Sequence, residues 1–202
     1  MPSCMIHLHA ALLIREERGM HLLREGRGVL FCLGAVAPDA IEDWRVKDHT
    51  HLRDVPDRAA ALAEIARRTD PRDDFAEGVL LHMYADLLWD ENQLQRYWDS
   101  LGGRPAGGDW VPEYRRQISL ASGWIYHHSP WARPLWEKLL AVPPERYSPL
   151  PGMERDDIRA YLTRNFRWHE EHAGPPSSFY PPTEAEAFVQ AAVKRYKAWR
   201  GN

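Results

Sequence analysis

Apolar residues recur at three- and four-residue steps along nearly the whole of this sequence, and no segment shows the alternation typical of a half-buried strand. Helices are predicted for residues 5–17, 28–36, 57–68, 73–100, 112–127, 131–141, 154–171 and 183–199. By period alone the run at 28–36 suits a helix or a buried strand, and we assign a helix because no other segment could pair with it. The sequence therefore predicts an all-α fold, a helical bundle of about seven or eight helices.

Length and composition are those of an ordinary globular domain. The chain has 202 residues, 44% hydrophobic and 27% charged, enough to bury a sizeable core without disulfides. We treat residues 1–202 as a single all-α domain with a proline-rich C-terminal annex from about residue 130. The net charge of −3 argues against a general nucleic-acid binder.

The cellular address is predicted from the cysteines and the N-terminal segment. Cys4 and Cys32 are too few for a disulfide framework and suggest a reducing compartment. No lysine or arginine precedes the first apolar run, and no apolar stretch approaches the length of a membrane span. We expect a cytoplasmic protein without a transmembrane segment, and the oligomeric state stays open.

His82 and Asp86 lie four residues apart in the longest predicted helix, so both side chains project from one face. Phe75, Val79 and Trp89 make the rest of that face apolar. Burying an imidazole and a carboxylate is costly unless they pair with each other or bind a metal. The pattern therefore fits either a salt-linked polar pair or a metal site.

Two further segments carry candidate ligands. Asp39 stands where the chain turns after an apolar helix, and His49 and His51 stand in the polar segment KDHTHLRD, which we predict to be a loop. Since alternate residues of an extended segment point to opposite sides, one of these histidines is expected at a given site. Together with the pair on the long helix, this makes a set of two histidines and two carboxylates, which zinc, manganese or iron would accept.

In their order these segments resemble the zinc-dependent phospholipase C family, in its small bacterial cytoplasmic branch. The resemblance is carried by IHLHAAL at 6–12, LGAVAPDA at 33–40, THLRD at 50–54 and FAEGVLLHMYADLLW at 75–89. These segments follow the family's order of His, Pro-Asp, Thr-His and Gly-x3-His-x3-Asp over about the first hundred residues. The resemblance implies an all-α bundle, in agreement with the helical periodicity.

The resemblance also implies which residues bind metal. A first ion would be held by Asp39, His51, His82 and Asp86. His7 would correspond to a ligand of a neighbouring ion, with Asp86 as a candidate bridge, and Asp39 and Asp86 are the predicted catalytic residues. The match selects His51 over His49 because His51 directly precedes Leu-Arg-Asp. The family's later His-x3-Glu pair has no clean counterpart, and the nearest residues are Glu113, His127, His128 and His169.

These ligands predict a metal-dependent hydrolase acting on a small-molecule phosphoester, with one or two zinc ions or, alternatively, iron or manganese. One alternative is a degenerate family member that keeps a structural metal and has no turnover, since a closed four-ligand site leaves no position for water. Another is a pathway-specific metalloenzyme that uses iron on the same scaffold. Arg53 and the Arg115–Arg116 pair could meet a phosphate, although the sequence favours a solvated face for them.

Overall fold

The computed structural model describes residues 2–17, 26–148, 152 and 154–201, which form helices and loops with no strand among them. The helices are α1 (Cys4–Glu17), α2 (Gly26–Gly34), α3 (Trp44–Thr50), α4 (Arg58–Arg68), α5 (Asp74–Trp89), α6 (Gln95–Ser100), α7 (Val111–His128), α8 (Ala132–Ala141), α9 (Arg155–Glu171) and α10 (Pro182–Gly201). Short 3-10 segments lie at Ala37–Ala40 and Pro144–Arg146. The all-α prediction is confirmed. Within these residues, no helix has the length and apolar character needed to cross a membrane.

Every helix predicted from the periodicity occurs, with each end within two residues of its predicted position. Aspartates fix two of the N-termini: the Asp57 carboxylate accepts from the backbone N–H of Ala60, and the Asp73 carboxylate accepts from those of Phe75 and Ala76. Side-chain capping of this kind satisfies backbone donors that have no partner within the helix. The capping aspartates therefore determine locally where α4 and α5 begin.

The prediction of a loop around His49 and His51 was wrong, because α3 forms there. The Asp43 carboxylate accepts hydrogen bonds from the backbone N–H groups of Arg45 and Val46, at 2.8 and 3.3 Å, and so starts the helix. No residue of α3 is buried. A helix without a buried face leaves no apolar periodicity in the sequence, which explains why the pattern missed it.

The longest predicted helix contains an irregularity that the pattern did not indicate. Between α5 and α6 the chain runs on without a break through a π-helical turn at Asp90–Leu94. Inside it, the Asn92 side-chain amide donates to the Leu88 carbonyl over 2.6 Å. A π turn contains more residues than an α turn, so the side chains of α6 face directions that a regular helix would not give them.

The backbones of α2 and α5 touch where two glycines meet. A Cβ atom on Gly34 would lie 2.9 Å from the Phe75 carbonyl carbon, and one on Gly78 would lie 2.8 Å from the Ala35 nitrogen. Such distances leave no room for any side chain. The close approach brings the end of α2 against α5 one turn before His82.

The C-terminal third packs on the N-terminal helices. Helix α10 contacts α1 and α5, and α9 contacts α8 and the 3-10 turn Ala37–Ala40. Arg200 near the end of α10 forms an ion pair with the buried Glu77 of α5 at 2.7 Å. The predicted annex therefore packs against α5 and against the 3-10 turn that contains Asp39.

Candidate metal centre

The five predicted metal ligands lie together, although they come from four separate parts of the chain. They are His7 of α1, Asp39 of the 3-10 turn, His51 at the end of α3, and His82 and Asp86 of α5. Four of these residues have no exposed surface, and the Asp39 side chain is 8% exposed. Their ligand atoms form two overlapping groups that could hold a metal ion and that share His82.

Backbone carbonyls fix the tautomers of two histidines in this cluster. His82 Nδ1 lies 2.9 Å from the Ala35 carbonyl oxygen, and His51 Nδ1 lies 2.8 Å from the Lys47 carbonyl oxygen. Because a carbonyl oxygen only accepts, each Nδ1 must carry the proton. In the neutral ring Nε2 is then a bare lone pair, which is the form that binds metals.

These two lone pairs face each other. The Nε2 atoms of His51 and His82 are 3.1 Å apart. Burial is the largest influence on both rings and lowers the pKa of each below its usual value, so neither readily takes a second proton. Two acceptors at this distance cannot hydrogen-bond to each other, whereas nitrogen ligands of one zinc ion stand about 3.3 Å apart.

His7 is buried, and neither of its ring nitrogens has a hydrogen-bond partner among the described residues. Its ring stacks on that of His82, with centroids 3.9 Å apart and planes 18° apart. Its Nε2 lies 3.5 Å from Asp86 Oδ1, an atom that likewise has no hydrogen bond to any residue that the structure describes. Leaving buried polar atoms unsatisfied costs about 1–3 kcal/mol each, and a cation bound here would remove that cost.

Asp86 is held as a carboxylate by cations beside the cluster. Arg53 Nη2 donates to Asp86 Oδ2 over 2.7 Å, and Arg53 and Arg58 both pair with Asp90 one turn further along. Burial by itself would raise the pKa of Asp86, but the adjacent His7 and Arg53 outweigh it and hold that pKa well below its usual value. The residue is therefore anionic at neutral pH.

Asp39 has a similar partner in Lys47. The Lys47 Nζ atom lies 2.8 Å from Asp39 Oδ1, and the same oxygen is 4.0 Å from His51 Nε2. Burial would raise the pKa of Asp39, yet the Lys47 ammonium lowers it below the usual range. Lys47 was missed from the sequence because α3 was not predicted. On a helix its four-residue spacing from His51 would have indicated that the two act together.

The donor set suits a transition metal. Three imidazoles and two carboxylates offer the mixed nitrogen and oxygen ligands that zinc, iron and manganese accept. The opposed Nε2 atoms of His51 and His82 and the unsatisfied His7 are what such an ion would satisfy. The residues present therefore fit the group.

The other predicted candidates lie elsewhere and join neither of the two groups found in the described residues. His49 is exposed and pairs with Asp54 at 2.9 Å. His127 Nε2 lies 2.7 Å from the His169 carbonyl oxygen, and the His128 ring stacks on Trp124.

Glu113 is likewise engaged outside the cluster. It is exposed and pairs with Arg116 at 2.7 Å, and it also accepts a hydrogen bond from Gln117. The residues considered for a later His-x3-Glu pair therefore stand apart from the cluster.

A second polar group that the sequence did not indicate lies on the Asp39 side. Ser122 donates its hydroxyl to His169 Nε2 over 2.8 Å, because His169 Nδ1–H donates to the Asn165 carbonyl. Burial lowers the pKa of His169 to about 4 and raises that of the neighbouring Cys4 to about 12, so both are neutral at pH 7. A ring so reluctant to gain a proton is a weak base, and the pair is a buried hydrogen bond between facing helices.

Cavities open on two sides of the centre. One of about 400 Å³ includes Asp39 and Lys47 in its wall, and one of about 720 Å³ includes Arg53. Pro2, Ile118 and Ser119 border both cavities. The smaller cavity therefore reaches the cluster at Asp39, whereas the larger one borders Arg53, which pairs with Asp86.

Comparison of the chain with protein-family models, with curated proteins and with solved structures gave no match.

Proposed function

We propose that this protein is a zinc-dependent hydrolase of phosphoesters with a fold like that of the zinc-dependent phospholipases C. The observation that carries the proposal is the 3.1 Å separation of the His51 and His82 Nε2 atoms, in two rings whose Nδ1 atoms each lie against a backbone carbonyl. Five buried or nearly buried ligand side chains from distant parts of the chain would not converge in this way for hydrogen bonding alone. The order of the motifs that contain them supports the family likeness.

Each ligand side chain has a definable task. His51 and His82 present neutral Nε2 atoms, since their Nδ1–H groups are occupied by backbone carbonyls. Asp39 and Asp86 supply negative charge that offsets that of a divalent cation. A zinc ion held here would polarise a phosphoryl oxygen and lower the pKa of water towards neutrality.

The cations beside the cluster favour a phosphoester over a neutral substrate. Arg53 contacts Asp86 and lines the larger cavity, while Lys47 contacts Asp39 and lines the smaller one. A guanidinium can bind two phosphate oxygens at once, and an ammonium adds a compact positive charge. Each group would orient a phosphate that enters through its own cavity and stabilise the charge that develops on it.

A structural metal without turnover is the second candidate. The burial of His7, His51, His82 and Asp86, which have no exposed surface, favours it. A closed ligand set stabilises a fold but leaves no position for substrate. On this hypothesis the cations beside the cluster only balance the charge of the two aspartates.

Elemental analysis of protein purified without added metal, followed by turnover of bis-p-nitrophenyl phosphate and p-nitrophenyl phosphorylcholine, separates these candidates. We expect a stoichiometric metal and turnover that is lost in Asp39→Ala and kept in His49→Ala. A full metal complement without turnover of either ester would establish the structural role. If elemental analysis finds iron or manganese in place of zinc, the identity of the metal changes and the proposed ligands stay the same. If the purified protein carries no metal and its melting temperature does not rise on adding zinc or manganese, the proposed metal centre does not exist.

A further inference from the structure

The larger cavity beside the centre has the size of a small-molecule binding site. Its volume of about 720 Å³ lies within the range of ligand pockets in proteins. Arg53 belongs both to its wall and to the ion pair with Asp86, so the cavity begins one side chain away from the cluster.

Aromatic side chains form much of the cavity wall. Trp98 and Trp110 meet edge to face with centroids 5.7 Å apart, and Trp110 meets Tyr114 at 5.5 Å. Leu94 and Ile118 add apolar surface beside them. Rings of this kind hold planar aromatic ligands by stacking, which contributes about 1–3 kcal/mol per base in nucleic-acid sites.

Three arginines line the same cavity. Within the described part of the chain, no carboxylate forms an ion pair with Arg104 or Arg115 of this wall, and Arg104 lies over the Trp98 ring at 4.8 Å. The acidic residue of the wall, Asp90, is already paired with Arg53 and Arg58. The cavity therefore offers uncompensated positive charge together with aromatic surface.

Two further observations point to a ligand. The indole nitrogen of Trp98 is buried and has no hydrogen-bond partner in the described part of the chain, which leaves a donor for a bound molecule. The π turn at Asp90–Leu94 supplies two residues of the wall, and π turns are frequent at functional sites.

We propose that this cavity binds a phosphate ester that carries a planar aromatic ring, as in a nucleoside monophosphate. The phosphate lies on the arginine side, within reach of Arg53, and the ring lies against Trp98 and Trp110. The assignment as substrate rests on the proposed hydrolase function, whereas binding requires only the cavity.

Calorimetric titration with AMP, ribose 5-phosphate and adenosine tests the assignment, on the metal-loaded protein and again after treatment with EDTA. AMP should bind at least about tenfold more tightly than either fragment, since each fragment lacks one of the two recognised groups. Trp98→Leu and Arg115→Ala should each weaken AMP binding about tenfold. Trp44→Leu and Arg116→Ala are the matched controls, because both residues lie outside the cavity wall and Arg116 pairs with Glu113.

The outcomes separate this site from the hydrolase. AMP binding no tighter than that of ribose 5-phosphate, or unchanged in Arg115→Ala and Trp98→Leu, would overturn the assignment. Arg115 is exposed, so its substitution leaves the core intact. Tight AMP binding in protein that hydrolyses no phosphoester would support the proposed binding cavity and contradict the proposed hydrolase function. Turnover of a phosphoester without AMP binding would support the hydrolase function and contradict the binding cavity.

Discussion

Replacing Gly78 with alanine should force α2 and α5 apart. The added Cβ would lie 2.8 Å from the Ala35 nitrogen and closer still to the Phe31 carbonyl oxygen, where ordinary contacts begin at about 3.4 Å. Relief requires a separation of about 1 Å, which forfeits up to about half of the dispersion energy across the contact. The same movement breaks the 2.9 Å hydrogen bond from His82 Nδ1 to the Ala35 carbonyl.

The expected cost combines three contributions. Overpacking costs about 1–3 kcal/mol, the buried His82 donor left without a partner costs about 1–3 kcal/mol, and alanine's helix propensity returns about 1 kcal/mol. Gly78→Ala should therefore lower the free energy of unfolding by about 3 kcal/mol in urea titrations followed by circular dichroism. Gly108→Ala is the matched control, since a Cβ there meets nothing within 4 Å. A Gly78→Ala protein as stable as the wild type would refute the close crossing.

The cluster and its surroundings should also respond to other substitutions and to pH. Asp86→Ala should lose the metal that the wild type carries, as measured by elemental analysis, and retained metal would remove Asp86 from the ligand set. His51→Ala should lose metal while His49→Ala keeps it, because His49 is exposed and paired with Asp54; equal losses would contradict this assignment. The free energy of unfolding should fall as the pH drops from 6.5 towards 4, since burial lowers the pKa of His169 to about 4 and the unfolded state takes up the proton first. The His169 share of this fall is at most about 3 kcal/mol and should be missing in His169→Gln, whereas identical pH profiles would show that His169 titrates normally.

The fold could be predicted where burial leaves a pattern. Helices such as α1 and α5 contribute many side chains to the core, so their apolar residues recur with the helical period. Helix α3 has no buried residue and was missed. The π turn at Asp90–Leu94 was missed because it changes hydrogen-bond register without interrupting the sequence of helix-forming residues.

The site was predictable to a different extent for each residue. The spacing of His82 and Asp86 on one helix indicated a polar pair from the residues alone, whereas His7 entered only through the resemblance. Lys47 was missed together with α3, and the Ser122–His169 pair was missed because it depends on how distant helices pack. Sequence spacing reports neighbours on one helix and is silent about contacts between helices.

The shape of the larger cavity depends on the number of residues in the π turn between α5 and α6. Each residue advances a helix by about 100° around its axis, so deleting Asn92 would rotate the rest of this helix, through α6, by roughly that angle. Tyr97, now in the core, and Trp98, now on the cavity wall, would both leave their places, while Asp86 before the turn would stay. A single-codon deletion or insertion in this turn could therefore alter the cavity's walls and leave the ligand cluster intact.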